Sequence, residues 1–253
     1  MENGVGTEKD LNEAGAEALP DGRCGIRIKG WQIESCKRPI LGSLALREWE
    51  EKLGTSHLPE MVFGDSSLNL LHMESGFKIH FNAFDALKGW KQESLPPVEV
   101  PAAAKWKFRS KPVQQIILDY DYTFTTPYCG SEAVELNHEK VILYEDELAD
   151  SGISLLTVKV RVMPSSWFLL LRYWLRVDGA LMRLRDSRVY CSFSGDDDAQ
   201  PVLLRESCWK EAKIQSLFAQ GLPVDSAAYC DPNLISQRLP VVAQKIQRLK
   251  ISW

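Results

Sequence analysis

The segment that most limits what this chain can fold into begins at Leu155 and reads Leu-Leu-Thr-Val-Lys-Val-Arg-Val. Val158, Val160 and Val162 point one way and Thr157, Lys159 and Arg161 the other, a period of two that belongs to a half-buried strand in an antiparallel sheet. Met163-Pro164-Ser165-Ser166 turns the chain, and Trp167 to Val177 reads as a second strand. Asp178-Gly179 is the strongest short-range hairpin signal, and Ala180 to Tyr190 returns as a third strand.

A two-residue turn at Asp178-Gly179 sets Val177 opposite Ala180. Counting outward pairs Trp174 with Arg183 and Arg172 with Arg185, with Arg176 on the same face. Leu175 with Met182, Tyr173 with Leu184, Leu171 with Asp186 and Leu169 with Arg188 take the other face. Two arginines across a sheet repel, so Arg172, Arg176, Arg183 and Arg185 form an expected charge network that needs a counter-ion. Glu145-Asp146-Glu147 is the internal candidate, and a partner's carboxylate or phosphate is the external one. The opposite face, an apolar strip ending in Asp186 and Arg188, has the character of a groove for an extended peptide.

Elsewhere the elements are shorter. Ile26 to Ile33 suggests a strand pair, and Ser43 is placed to cap a helix with a Leu46, Trp49 and Leu53 stripe, a Glu48–Lys52 pair and a stop at Gly54. Met61–Phe63, Leu68–His72 and Phe77–Phe81 read as strands, with Asn82 capping a short helix towards Trp90. Residues 94–112 are a Pro-rich excursion with a short helix after Pro101, and Gly195 to Asp198 is a polar turn. Ser207 to Phe218 is expected to be helical, and Leu239 to Trp253 is either helix or strand. Strand runs with inserted helices predict an α+β, mainly antiparallel β fold, its sheets packed as a sandwich-like core with several short helices at the edges. Residues 1–22, acidic and poor in apolar side chains, are expected to be a disordered tail before a single domain over 23–253.

Composition restricts function more than it suggests one. The 253 residues carry 30 Lys and Arg against 34 Asp and Glu, a net charge of −4, which argues against a nucleic-acid coat. No secretory signal and no membrane-length apolar run occurs, and six dispersed cysteines without a C-x-x-C read as idle or buried thiols in an intracellular protein. His57, His72, His80 and His138 are not at metal-ligand spacing, and no phosphate loop is present, so neither metal nor cofactor is expected. Phe63-Gly64-Asp65-Ser66 resembles the opening block of the Gly-Asp-Ser-Leu esterases, which would make Ser66 a nucleophile. That chemistry takes its base from an Asp-x-x-His near the C-terminus, and no histidine follows His138. A β-turn is the simpler reading of the string.

Several blocks resemble one family. Leu58-Pro59-Glu60-Met61-Val62-Phe63-Gly64-Asp65, Phe81-Asn82-Ala83-Phe84-Asp85-Ala86-Leu87 and Tyr122-Thr123-Phe124-Thr125-Thr126 precede Glu145-Asp146-Glu147-Leu148 and the long Val160 to Arg172 block with its Met-Pro-Ser-Ser centre. With Arg176-Val177-Asp178-Gly179 and Arg183 to Arg188, these are similar to the TIP-forty-one-like (TOR signalling pathway regulator-like) family over most of residues 58–190. Gly130 to Lys140 is shorter than the polar insertion of family members, which alters any contact made there. The resemblance implies a non-catalytic cytoplasmic regulator, with the nucleus as a second location. Its implied partner is the catalytic subunit of type 2A-family protein phosphatases, including the extended C-terminal tail, in TOR signalling. Nucleic acid, membrane and small-molecule substrates are not implied. Asp85, Leu184, Asp186 and Arg188 are the partner-binding positions it carries over, and replacing Asp186 and Arg188 by alanine is expected to weaken tail capture with the fold intact.

Overall fold

In a computed structural model of the chain, the described residues are 11–55, 58–88, 139–193, 202–222 and 229–250. Within them the first half holds β1 (Glu17–Ala18), β2 (Cys24–Ile28), β3 (Trp31–Cys36), α1 (Ser43–Leu53), β4 (Met61–Val62), β5 (Ser67–His72), β6 (Lys78–Asn82) and α2 (Ala83–Lys88). The second half holds β7 (Glu139–Asp146), β8 (Gly152–Met163), β9 (Ser166–Val177), β10 (Leu181–Ser192) and β11 (Val202–Lys213). Helices α3 (Ile214–Ala219) and α4 (Pro232–Ser236) then lead to β12 (Val241–Lys250). The Pro-rich excursion at 94–112, the Tyr122 to Thr126 block, most of the Gly130 to Lys140 connection and the Gly195 to Asp198 turn lie outside the described residues.

The strands form two antiparallel sheets, a five-stranded one ordered β1-β2-β3-β5-β6 and a seven-stranded one ordered β12-β11-β10-β9-β8-β7-β4. Period-two patterning gives each strand a core-facing side. Trp31, Leu68, Leu70, Ile79 and Phe81 of the first sheet share one apolar core with Val158, Val160, Trp167, Leu169 and Leu171 of the second. The indoles of Trp31 and Trp167 meet edge to face with centroids 5.1 Å apart, a geometry favoured by the ring quadrupoles. The arrangement is the expected mainly antiparallel sandwich with short peripheral helices.

A second apolar cluster lies on the far face of the larger sheet. Trp174, Met182 and Leu184 are covered there by Ile214 and Leu217 of α3, Ile235 of α4, Tyr229 and Leu239. Strand β9 is therefore sandwiched, which is why its run from Trp167 to Leu175 is apolar with little alternation.

Three expectations change. Residues 11–22 do not form a disordered tail: Leu11 and Leu19 are buried, and Glu17–Ala18 pairs with β2. Two leucines suffice to tie this segment onto the first sheet. Ser207 to Lys213 is strand and not helix, since β11 is hydrogen-bonded on one edge to β10 and on the other to β12. Cross-strand pairing outweighs the weak helical preference of this segment, and the helix starts only at Ile214. In α1 Ser43 is the first helical residue and makes no capping bond, the N-cap being Gly42; Gly54 ends the helix in the left-handed region at φ 65°.

The hairpin expectation changes most. Ala180 N–H donates to Val177 C=O at 3.0 Å, and Ser192 pairs with Ser166. The connection is thus a three-residue loop, Asp178-Gly179-Ala180, with Gly179 at φ 75°. That register sets Val177 opposite Leu181 and Arg172 opposite Asp186. A one-residue slip moves every side chain of β10 to the other face.

Candidate functional site

With the register corrected, the even-numbered residues of β9 and β10 share one face. Arg172 grips Asp186 with both forks of its guanidinium, Nε to Oδ1 at 2.7 Å and Nη2 to Oδ2 at 2.7 Å. The remaining nitrogen, Nη1, donates to Asn233 Oδ1 on α4. Asp186 also receives Arg188 Nη2 at 3.4 Å, and Arg188 Nη1 donates to Glu206 Oε2 at 3.1 Å. Glu206 Oε1 in turn accepts from Gln244 Nε2 at 2.7 Å. A ladder of alternating charge therefore crosses β9, β10 and β11 and ends on the neutral amide of Gln244 in β12. Asp186 is 4% exposed and Glu206 7%, so these are desolvated, charge-assisted bonds. Burial by itself would lower the Arg172 pKa, but the hydrogen bonds and charge of Asp186, with Asp231 behind it, outweigh burial and raise it.

Beside the ladder lies a cleft of about 310 Å³, bordered by Lys140, Lys159, Leu170, Trp174, Asp231 and Asn233. Lys140 stands directly across from Lys159 in the β7–β8 pairing, an arrangement that like charges disfavour. Burial, and then the charges of Lys140, Arg172 and Arg161, push the Lys159 pKa down. Trp174 is buried, and among the described residues its Nε1–H has no acceptor. Helix α4 forms the opposite lip. Asp231 Oδ1 caps it by accepting from Asn233 N–H at 2.8 Å, with Pro232 in its first turn. Lys210 Nζ secures its far end by donating to Ser236 C=O at 2.8 Å. Ammonium groups, an indole N–H and apolar walls suit an anionic group carried on a partly apolar chain.

The structure brings Leu184, Asp186 and Arg188 onto one face, opposite Arg172 and Trp174 and not Tyr173 and Leu171. Leu184 is 1% exposed and packs under α3 and α4, so in the free chain it is a core residue. Arg188 keeps a third of its side chain in water. Asp85 lies apart on α2, half exposed, its Oδ2 accepting from Asn82 Nδ2 at 2.9 Å and facing His80 at 3.3 Å. Its amide is capped by Asn82 Oδ1, as the sequence suggested. Asp186 is buried and bridged by two arginines, so Asp186→Ala is expected to cost stability, contrary to an intact-fold outcome.

The expected four-arginine face divides. Arg172 and Arg176 lie on one side of the sheet and Arg183 and Arg185 on the other. Arg183 pairs with Glu211, and the Arg185 guanidinium lies 4.4 Å from the Trp209 ring centroid. Arg176 pairs with Asp178 at 3.0 Å. The hairpin arginines thus draw their carboxylates from Asp178, Asp186, Glu206 and Glu211, in place of Glu145-Asp146-Glu147. Asp146 instead accepts from Leu148 N–H, and burial followed by the charges of Glu60 and Glu147 raises its pKa. Ser66 is 2% exposed, and its hydroxyl donates to Arg38 C=O and accepts from Arg38 N–H. It ties a loop down, geometry that gives a serine nucleophile no support.

Sequence reasoning missed Lys140, Lys159, Trp174 and Asn233 as neighbours. The Asp231-Pro232-Asn233 string carries a readable helix-start signal, Pro in the first turn behind an Asp cap. Its position over β9 depends on tertiary packing.

Comparison with known proteins places these features in a family. The TIP41-like family model matches residues 61–141 and 132–218. A TIP41-like protein of Arabidopsis thaliana is 60% identical over 283 aligned positions, covering 96% of this chain and 97% of that protein. The alignment is longer than the chain, so that relative has residues with no counterpart here. A TIP41-like protein of Homo sapiens is 35% identical over 87% of the chain and 86% of its own length. The type 2A phosphatase activator TIP41 of Saccharomyces cerevisiae is 34% identical over 88% of the chain and 73% of its own length. The family-model match runs from β4 to β11 and includes the strands that carry the Arg172–Asp186 pair, and the chain belongs to the TIP41-like family.

Proposed function

We propose that this chain is a non-catalytic regulator that binds the catalytic subunit of type 2A-family protein phosphatases and modulates their activity and assembly in TOR signalling. The carrying observation is that relatives matched over 88% of the chain bear the name type 2A phosphatase activator. Binding includes the subunit's extended C-terminal tail, for which the cleft supplies complementary chemistry. Lys140 and Lys159 are donors to a carboxylate, Trp174 offers an indole N–H, and Leu170 an apolar wall. Arg188 and Asp85 are the water-accessible members of the expected partner-binding set; Leu184 and Asp186 hold the floor in place. The complex belongs in the cytoplasm and nucleus, and no nucleic acid, membrane or small-molecule substrate takes part.

The test is capture of purified type 2A catalytic subunit on the immobilised full chain, with the subunit intact or lacking its C-terminal tail. The intact subunit is expected to bind at least tenfold more tightly, with affinity falling as salt rises because the contacts are ionic. Arg188→Ala weakens binding and, by stripping buried Glu206 of its cation, also lowers the melting temperature, so capture is compared at a temperature where the variant is fully folded. Equal capture of intact and tail-less subunit refutes the tail assignment, and capture of neither refutes the partner.

A further inference from the structure

We propose that β12 is a second docking edge, built to receive an extended acidic segment of a partner protein by strand addition. Among the described residues the larger sheet ends in this strand of ten residues, Val241–Lys250. The other three sheet edges are short: β1 and β4 have two residues each and β6 has five. Proteins blunt exposed edges by shortness, charge or cover, because unpaired backbone groups recruit foreign strands. β12 is long and, among the described residues, uncovered, and the charge that guards it is of one sign. Val241 to Ile246 and Arg248 are all exposed, so among the described residues little lies over the strand on either face.

Its side chains add a reason to bind. Val241, Val242 and Ile246 are 53%, 52% and 59% exposed, three of the large apolar side chains the described residues leave in water. The strand reads Val-Val-Ala-Gln-Lys-Ile-Gln-Arg-Leu-Lys, with three cations and no acid. Lys245 lies opposite Ser207 and Arg248 opposite Leu204 on β11, so their strand neighbours do not neutralise them. The nearby carboxylate, Glu206, already holds Arg188 and Gln244. Two-fold self-pairing would run the two strands antiparallel and leave Lys245 and Arg248 of both copies without a carboxylate. An extended segment with alternating apolar and acidic residues suits the edge: its backbone pairs, its apolar side chains meet Val242 and Ile246 on one face, and its carboxylates reach Lys245 on the other, with Arg248 adding positive charge beside the apolar face. The inference is independent of the cleft and the phosphatase reading.

The probe is a fluorescein-labelled ten-residue peptide alternating valine and glutamate, read by anisotropy against the full chain. The expected result is saturable binding that weakens at least tenfold in Lys245→Glu/Arg248→Glu. A valine–lysine peptide is expected to show the reverse preference, binding the variant and not the wild type. Both replaced side chains are exposed, and a salt titration of the wild type gives the same electrostatic readout without a variant. A fully N-methylated valine–glutamate peptide, unable to donate backbone hydrogen bonds, is expected not to bind. Absence of saturable binding, charge-indifferent binding or undiminished binding of the N-methylated peptide overturns the proposal. So does a homodimer in sedimentation that Ile246→Glu dissolves, since a second copy would then occupy the edge.

Discussion

Removing the Asp186 carboxylate tests whether the charged ladder is a structural clamp. Asp186→Ala deletes two bonds of 2.7 Å to Arg172 and one of 3.4 Å to Arg188, and leaves the Arg172 guanidinium beside Lys159 with its side chain 14% exposed. Deleting one partner of a buried pair costs about 3–5 kcal/mol, because the surviving charge keeps its desolvation penalty. For a chain of this size each kcal/mol shifts the melting temperature by roughly 2–4 °C, so the fall is on the order of 6–20 °C. Removing both ends gives a different result. Arg172→Met/Asp186→Leu eliminates the stranded charge and is expected to recover most of the loss, since apolar replacements of buried pairs are often neutral or better. The assay is equilibrium denaturation of wild type, both single variants and the double variant, giving a coupling energy from the cycle. A loss below about 1 kcal/mol for Asp186→Ala, or additive single effects, refutes the reasoning.

Lys159→Met is expected to stabilise the free chain at pH 7. The folded-state pKa of Lys159 lies below its unfolded value, so between the two the unfolded chain holds more protons and stability rises with pH. Below that window the full cost of burying the ammonium is present, and the methionine variant should remove both the cost and part of the alkaline rise, measured as denaturant midpoints at pH 7 and pH 10. Thiol reactivity should divide by burial. Cys191 is buried, with its pKa pushed up to about 12 by desolvation, whereas Cys24 and Cys230 are exposed. Iodoacetamide at pH 8 is expected to alkylate Cys24 and Cys230 in the native chain and spare Cys191, as mapped by peptide mass.

Much of the second sheet was legible because period-two patterning is a local signal: β8, β9 and β10 fall within three residues of their expected bounds. The register was not, because Asp178-Gly179 is compatible with a two- or a three-residue loop and the difference is one backbone hydrogen bond. That difference separates a repulsive Arg172–Arg185 pair from the observed Arg172–Asp186 bridge. The even-numbered grouping of Leu184, Asp186 and Arg188 survived the slip, since residues two apart share a face in any register. Strand β11 was misread because its alternation is interrupted at Ser207-Cys208-Trp209, and only pairing on both edges makes it a strand. The cleft was illegible for a more general reason. Lys140, Lys159, Trp174 and Asn233 come from four separate segments, and no local rule places α4 over β9.

The shared core between the sheets has a consequence during synthesis. The apolar face formed by Trp31, Leu68, Ile79 and Phe81 emerges from the ribosome before the strands that cover it, Trp167 to Leu171 among them. At about 5–20 residues per second, that face waits on the order of 5–20 s for its lid. A nascent first sheet is therefore an apolar, incomplete unit, exposed to aggregation early in translation more than late in it. Once β8 is made, the remainder joins by successive hairpins to neighbours already in place, so the costly delay lies between the two halves and not within the larger sheet.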